Sequence, residues 1–458
     1  MAKRSDQLPE PITLKASMGP SFILLGLALG SGELIMWPYL VSRYGLGIIW
    51  GGLVGITFQY FLNTEIMRYT LARGESVFVG WRRYSKLIPL WFVFSTVIPW
   101  ALPGFVTSAA TMLNHVFPFL NIRATAILLI LLTGIIISSG KTLYKTMEHV
   151  QKTLLSIGIP FVTFLTLYMA KGTDWFALLR GLVGQGDGYH FLPQGIAIGA
   201  FLGAFAYSGG GGNLNLSQSY YIKEKGMGMG KYGVGIKALL SGSNAHRIDG
   251  NLFALSASNL SRWTRWWRLV CTEHLIVFWG VGLTTILMLA TLSMATSKGV
   301  GTGGGLEFFF TEATMIGQVF HPLVGTLFVM VGALMLFTTQ LGVLESASRV
   351  IAENILLLKY NVNQEVNASK MFYIVLWSEL AFSVLFLFAG IIEPRSILTL
   401  GAILNAAAMM VAFALILFLN LRSLPKTIAP SLPRRMVIIT AFIFFAYFVI
   451  QTALTAKW

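Results

Sequence analysis

Between Gly195 and Ile222 the chain reads GIAIGAFLGAFAYSGGGGNLNLSQSYYI. The stretch begins as an apolar helix fit to cross a bilayer. Ser208, four consecutive glycines (Gly209, Gly210, Gly211 and Gly212) and the amides Asn213 and Asn215 then fall at mid-depth. Each glycine costs about 1 kcal/mol relative to alanine in a helix, so continuous helix is not expected there. Non-helical backbone at membrane depth is tolerated only where it is buried in protein or lines a watery cavity. A second stretch, GPSFILLGLALGSGELIMWPYL from Gly19 to Leu40, carries Gly30, Ser31, Gly32 and Glu33 at similar depth and predicts a second break. The alternative is that these glycines only let helices pack closely.

The rest of the sequence supports a membrane setting. Of 458 residues, 55% are hydrophobic and 11% charged, against about 25% charged in soluble domains. Apolar segments lie near 19–44, 47–71, 87–117, 123–139, 151–171, 192–222, 269–294, 319–347, 371–392, 395–420 and 436–456. Runs such as Ala126 to Ile137 and Met436 to Ile450 are apolar on all sides, whereas the strands of a barrel alternate. An all-α polytopic protein of eleven spans is therefore predicted.

The two predicted breaks fall in spans one and six, five spans apart. Paired interruptions at corresponding positions of two halves point to a transporter's central site. The expected plan is an N-terminal segment 1–18, a first inverted repeat 19–171, a second 192–420 and an added eleventh helix 436–456. Each broken helix would offer N–H groups at one end and carbonyls at the other, a place for an anionic group beside a place for a cation.

The formal charge of +15 and pI near 9.9 could signal nucleic-acid binding. With the N-terminus inside, however, 26 of the 33 basic residues fall on the cytoplasmic side, as the positive-inside rule requires. The partners expected are therefore the bilayer and a small inorganic ion, with no nucleic acid and no obligatory protein partner. The C-terminus is expected outside, and a prokaryotic inner membrane suits so compact a chain. SRWTRWWRL, from Ser261 to Leu269, is read as an interfacial anchor. No apolar stretch precedes the first span, so no cleavable signal peptide is expected.

Ionisable residues inside spans are functional candidates by default. Glu33 lies in the first predicted break with no basic residue within a turn, and could bind a coupling cation, carry a proton, or merely cap freed N–H groups. Glu65 precedes Arg68 by three residues and Glu345 precedes Arg349 by four, so each is a coupling-ion candidate or half of an internal ion pair. Gln340, Ser346 and Ser348 add oxygen to the latter segment. Glu273–His274 and Glu148–His149 are read as interface residues at span ends. Cys271 is the single cysteine and supports neither disulfide nor thiolate cluster. GxxxxGK[ST] and HExxH are absent, and GTGGG at 301–305 reads as an outer loop. With no recognisable nucleophile and base, neither an enzyme nor a cofactor is expected.

These residues resemble the natural resistance-associated macrophage protein (Nramp) family of proton-coupled divalent metal transporters. GPSFILLGLALGSGE (19–33) parallels the family's GPG start leading to its DPGN break. MRYTLARGES (67–76) looks like its R-L-G-x-x-T-G element, and GAFAYSGGGGNLNLSQS (203–219) parallels its G-A-x-x-M-P-H-N-L-x-L-H-S stretch. The resemblance implies the leucine-transporter-like fold, two inverted five-helix repeats plus an eleventh helix. The departures fall on the chemistry. Gly30 stands where the family's metal-binding Asp would be and Glu33 where its Asn would be. The soft Met ligand falls at Tyr207 or one of the glycines, and the adjoining His is missing. Ala101 and Gly104 replace acidic residues of span three. What remains is a glycine-lined cavity with hydroxyls from Ser31 and Ser208 and amides from Asn213 and Asn405. Exposed N–H groups at helix starts suit a small oxyanion. The first expectation is thus cation-coupled uptake of a small anion such as bicarbonate, bound by Gly30, Ser31, Gly32, Tyr207, Ser208, Gly209 to Gly212, Asn213 and Asn405. Na⁺ or H⁺ would be held at Glu33, Glu345, Gln340 or Glu65. The alternative is an Nramp-type Mg²⁺ or Mn²⁺ transporter in which Glu33 holds the metal with carbonyls and water. A non-transporting receptor would need a soluble signalling domain for which the segments outside the spans leave little room.

Overall fold

The computed structural model describes residues 6–139, 142–237, 239, 245–299, 306–390 and 394–455, with backbone alone at Ser31, 394–399 and 455. The GTGGG loop lies outside the described residues. Among these residues nine helices are long and apolar enough to cross a membrane. Adding the shorter Ile122–Ser138 and the interrupted sixth segment gives eleven spans.

Spans one to five are Pro20–Tyr44, Leu46–Arg73, Leu87–Val116, Ile122–Ser138 and Leu143–Met169. Span six is the pair Ile198–Ala206 and Gln218–Glu224, and spans seven to eleven are Ala257–Ser297, Pro322–Lys359, Ala368–Phe388, Pro394–Ser423 and Leu432–Thr455. Local chemistry sets the ends. Pro20 opens span one, and Gly45 (φ 77°) closes it. Gly74, left-handed at φ 72°, closes span two by donating its N–H to the Thr70 carbonyl, as glycine caps do.

Three spans begin or end well beyond their apolar runs. Span five starts at Leu143, so Glu148 and His149 lie within the helix. Span seven starts at Ala257 and takes in the Trp/Arg stretch, while span eight runs on to Lys359. Charged turns there are stabilised by tertiary ion pairs, which hydropathy does not register. The structure also adds short helices Val77–Arg82, Gly172–Leu182 and Glu307–Val319 at the bundle ends. A two-residue antiparallel ribbon pairs His246–Arg247 with Glu365–Val366.

The two predicted breaks take different forms. Span six is interrupted as expected: the helix stops at Ala206, Gly211 (φ 73°) and Gly212 (φ 49°) turn left-handed, and a 3-10 turn over Gly212–Ser217 leads into Gln218–Glu224. Span one is not interrupted, which corrects the expectation. Leu29–Met36 forms a π-helical stretch, and the Trp37 N–H donates to the Gly32 carbonyl. A π turn widens the helix without ending it, and the Gly30 N–H and Gly26 carbonyl at its start bond to Thr339 of span eight. Span seven contains a second π stretch, Leu275–Val281.

Candidate functional site

The π stretch of span one and the interruption of span six meet back to back. A Cβ on Gly32 would collide with the carbonyl oxygen of Tyr207, so backbone touches backbone where only glycine fits. The Gly30 N–H donates to Thr339 Oγ1 of span eight at 2.9 Å, and that hydroxyl donates to the Gly26 carbonyl at 3.0 Å. One turn further on, the Trp37 indole N–H donates to Ser208 Oγ at 2.9 Å, and Ser208 donates to the Ala204 carbonyl at 3.0 Å. The hydroxyl of Ser31 lies outside the described side chains. Gly30, Gly32 and Ser208 thus fasten spans one, six and eight together, with their polar groups already engaged.

The amides behave differently. Gln59 of span two donates to the Ala206 carbonyl at 3.0 Å, which fixes its oxygen towards Asn215, whose Nδ2 donates to it at 3.0 Å. The Gly211 N–H also reaches Gln59 Oε1, at 3.4 Å. Asn405 of span ten donates to the Gly401 carbonyl at 2.9 Å and to the Tyr207 hydroxyl at 3.3 Å. Asn213 donates to Ser95 Oγ at 2.8 Å and Thr96 Oγ1 at 3.0 Å in span three, and Ser95 itself donates to the Trp91 carbonyl. Backbone carbonyls therefore fix the orientation of the Asn215 and Asn405 amides and, through Ser95, that of Asn213. In each the nitrogen is spent and the oxygen has no protein partner. Asn215 Oδ1 lies against Gly210, at 3.0 Å from where a Cβ would be, and Asn405 Oδ1 lies against Gly212. Trp100, its ring 5.7 Å from that of Tyr207, leaves its indole N–H unpaired beside them. A buried acceptor left unsatisfied costs about 1–3 kcal/mol, so these three oxygens are available to a polar ligand or to water.

Glu33 faces the other side of span one. It is fully buried, and neither carboxylate oxygen has a protein partner. Its neighbours include Gly282 of span seven, where a Cβ would stand 3.6 Å from Glu33 Oε1 and against Ile56 and Leu25. A lone carboxylate in such surroundings is stable only when protonated or set against a cation.

The other coupling-ion candidates are not brought to this place. Glu65 is bound by Arg68 at 2.7 Å, Arg434 at 3.0 Å and Asn420 at 3.0 Å, near the face that carries the N-terminus. Glu345 pairs with Arg349 and accepts from the Tyr221 hydroxyl at 2.8 Å; Arg349 also holds Glu224 of span six at 2.5 Å. The ion-pair readings of the i,i+3 and i,i+4 spacings describe both. Gln340 is buried next to Thr339 with its carbonyl oxygen unpaired. On the same face Glu148 joins Lys152 (2.6 Å) to Lys225 (2.8 Å), and Lys152 donates to the Met18 carbonyl at 2.7 Å. These bonds tie spans one, five, six and eight across the N-terminal face.

The opposite face is open. A cavity of about 570 Å³ descends between spans one, six, ten and eleven, past Arg43, Ile198 and Ile403 to Ile35 and Met36. Met36 packs in turn against Gly203 and Ala402, a Cβ on Gly203 falling 2.9 Å from Ala402 Cβ and 3.2 Å from Met36 Cε. The helix Glu307–Val319 packs at this end. There burial pushes the Glu312 carboxyl up to about 8, with the nearby Ser293 and Ser297 acting in the opposite sense, and Ser293 donates to the Pro38 carbonyl of span one at 2.9 Å.

Gln59, Thr339, Ser95 and Thr96 orient the site but were not singled out from the sequence. A lone amide or hydroxyl in an apolar run, as in FQYFLN, was the available signal. Glu273 and His274, read as interface residues, are instead buried in the bundle. Among the described residues no group of three or more His, Cys, Asp and Glu side chains could hold a metal ion.

No family model matches the chain, and no curated protein matches its sequence. Solved structures do share its shape. A single-site mutant of the manganese transporter of Eremococcus coleocola superposes with a TM-score of 0.68 at 11% identity, over 97% of this chain and 88% of that one. The same transporter in complex with an aromatic bis-isothiourea substituted compound gives 0.67 at 11% identity, over 99% and 90%. Mhp1, a nucleobase-cation-symport-1 family transporter in a closed conformation with bromovinylhydantoin bound, gives 0.56 at 14% identity, over 97% and 94%. The chain is an integral, multi-pass membrane protein with the leucine-transporter-like fold, two inverted five-helix repeats and an eleventh helix. Its scaffold is Nramp-like.

Proposed function

We propose that the chain is a secondary active transporter of a small hard cation, Mn²⁺ or Mg²⁺, and that its N-terminal face is cytoplasmic. The observation that carries this reading is the set of three amide oxygens left without protein partners at the interruption of span six, on Asn213 and Asn215 within it and on Asn405 packed against Gly212. Neutral oxygens suit hard cations that keep part of their water shell, and the Trp100 N–H can hold one such water. The cation is cargo, so a site lacking the dense ligand cluster of a resident metal is appropriate. The Nramp-like scaffold and the manganese transporter among its structural neighbours point the same way. Two of the donors that a small anion such as bicarbonate would need, the Gly30 and Gly211 N–H groups, already donate to Thr339 and Gln59.

Access alternates by the usual exchange of gates around a fixed site. The structure has the distal cavity open to Met36 and the N-terminal face sealed by Arg349, Glu224, Glu345, Glu148 and their partners. Glu33, across span one from the amides, takes the coupling cation, H⁺ or Na⁺. Purified protein in liposomes, offered Mn²⁺, Mg²⁺ and labelled bicarbonate under pH and Na⁺ gradients, tests the reading. Saturable Mn²⁺ or Mg²⁺ uptake that falls at least tenfold in Asn405→Ala is expected. Bicarbonate uptake without metal uptake would overturn it.

A further inference from the structure

Glu273 and His274 are adjacent on span seven, and both meet Ser21 in the first turn of span one. Ser21 Oγ lies 2.5 Å from Glu273 Oε2 and 2.7 Å from His274 Nδ1. All three side chains are buried, and Glu273 Oε1 and His274 Nε2 have no protein partner. The imidazole is held between Tyr60 of span two, at 5.6 Å, and Phe278, at 4.5 Å. Along span seven His274, Phe278 and Gly282 recur every four residues, and Gly282 is the residue that faces Glu33. Of the elements packed here, span two presents Tyr60, and span five presents Lys152, Tyr144 and Glu148, which with Lys225 of span six surround the entry at Met18 and Gly19.

A serine hydroxyl has one hydrogen and two lone pairs, so it can accept from one neighbour while donating to the other. With His274 neutral and Nδ1 protonated, Ser21 accepts from the ring and donates to Glu273. A proton arriving at Nε2 makes the ring doubly protonated; Nδ1 then passes its proton to Ser21 Oγ as the hydroxyl hydrogen passes to Glu273 Oε2. The result is a neutral ring protonated at Nε2 and a carboxylic acid at Glu273, one proton taken up and one negative charge removed. Because Ser21 belongs to span one and the other two to span seven, the bridge exists only while these spans hold their present relation. Movement of the start of span one to open the N-terminal face would separate the hydroxyl from both partners.

We propose that Ser21, Glu273 and His274 form a proton-carrying site on the N-terminal side of the bundle, loaded and unloaded as span one moves against span seven, which makes H⁺ a coupling ion of the transporter. The inference rests on the secondary-transport reading but not on the identity of the cargo. Ser21 is a positioning residue; Glu273 and His274 carry the proton.

Two measurements on the full chain test it. In liposomes loaded with a pH-sensitive dye, Mn²⁺ entry and internal acidification are followed together. Glu273→Gln and His274→Gln are expected to lower the protons moved per Mn²⁺ at least tenfold. Ser21→Ala, the mildest change, should shift the pH profile of uptake. An unchanged proton-to-metal ratio in Glu273→Gln overturns the proposal. Infrared difference spectra of the detergent-solubilised protein between acid and alkaline buffer require no cargo. A carboxylic-acid carbonyl band absent in Glu273→Gln and displaced in Ser21→Ala supports the proposal even where Mn²⁺ does not move. The same band in all three proteins refutes it. Failure of Mn²⁺ uptake with the band assigned to Glu273 refutes only the choice of cargo.

Discussion

The seal of the N-terminal face hangs on Arg349, and replacing it with methionine tests the mechanism most directly. The guanidinium is buried. It holds Glu224 through both terminal nitrogens, at 2.5 and 3.1 Å, and Glu345 through Nε. Arg349→Met keeps an unbranched stem in place of the apolar part of the side chain and leaves two carboxylates buried without their cation. Breaking a buried pair by removing one partner costs about 3–5 kcal/mol, and the cost falls on the closed arrangement because opening the face lets water reach Glu224 and Glu345. Recovery of even about 1.4 kcal/mol on opening shifts the closed-to-open ratio tenfold, and recovery of about 3 kcal/mol shifts it more than a hundredfold. The assay is maleimide labelling of a cysteine placed at Ala352, which lines the small pocket beside Arg349 and Tyr220, in a Cys271→Ala background. Labelling at least tenfold faster with Arg349→Met, together with a lower thermal midpoint, is expected. Equal labelling rates and equal midpoints would refute the idea that these ion pairs hold the face shut.

Gly32→Ala places a methyl group against the Tyr207 carbonyl; no rotamer relieves a backbone clash, so a loss of about 1–3 kcal/mol and of transport is expected, read by thermal unfolding and Mn²⁺ uptake. Glu33→Gln should act in opposite directions on stability and function: the thermal midpoint rises because a lone buried carboxylate is gone, while proton- or Na⁺-driven accumulation falls at least tenfold. Unchanged coupling would refute a coupling role for Glu33. For Glu312, held near 8 in the folded protein against an ordinary value of 4.5, the folded state binds the extra proton. Its stabilising share is full below about pH 4.5 and lost as pH rises through about 8. Melting curves of the wild type and Glu312→Gln across that window should differ in slope, with the wild type losing stability relative to the variant as pH rises.

Much of the fold was legible because helix propensity and the transfer of apolar side chains act residue by residue. The apolar runs gave the eleven spans, and four adjacent glycines flanked by Ser208 and Asn213 located the interruption of span six. The same reasoning failed at the ends of spans five, seven and eight, where Glu148, Arg262 and Arg349 remain helical. Their charges are met by Lys225, Glu10 and Glu224, 77, 252 and 125 residues away. It also failed in span one, where GSGE reads like a break. Whether such a sequence unwinds or widens into a π turn depends on what packs against it, here Tyr207 and Thr339.

The candidate site divides along the same line. The sequence alone determined a membrane bundle with its glycines, amides and an unescorted Glu33 at mid-depth, since each of those properties belongs to single residues and their near neighbours. Only the tertiary structure decided which atom of each amide is left over. Gln59, Ser95 and the Tyr207 hydroxyl, from spans two, three and six, take the nitrogens and leave the oxygens, and a side chain with one donor end and one acceptor end has no preference until its partners are fixed. The turning of Glu33 towards span seven, and the joining of Ser21 to Glu273 and His274 across 252 and 253 residues, were settled in the same way.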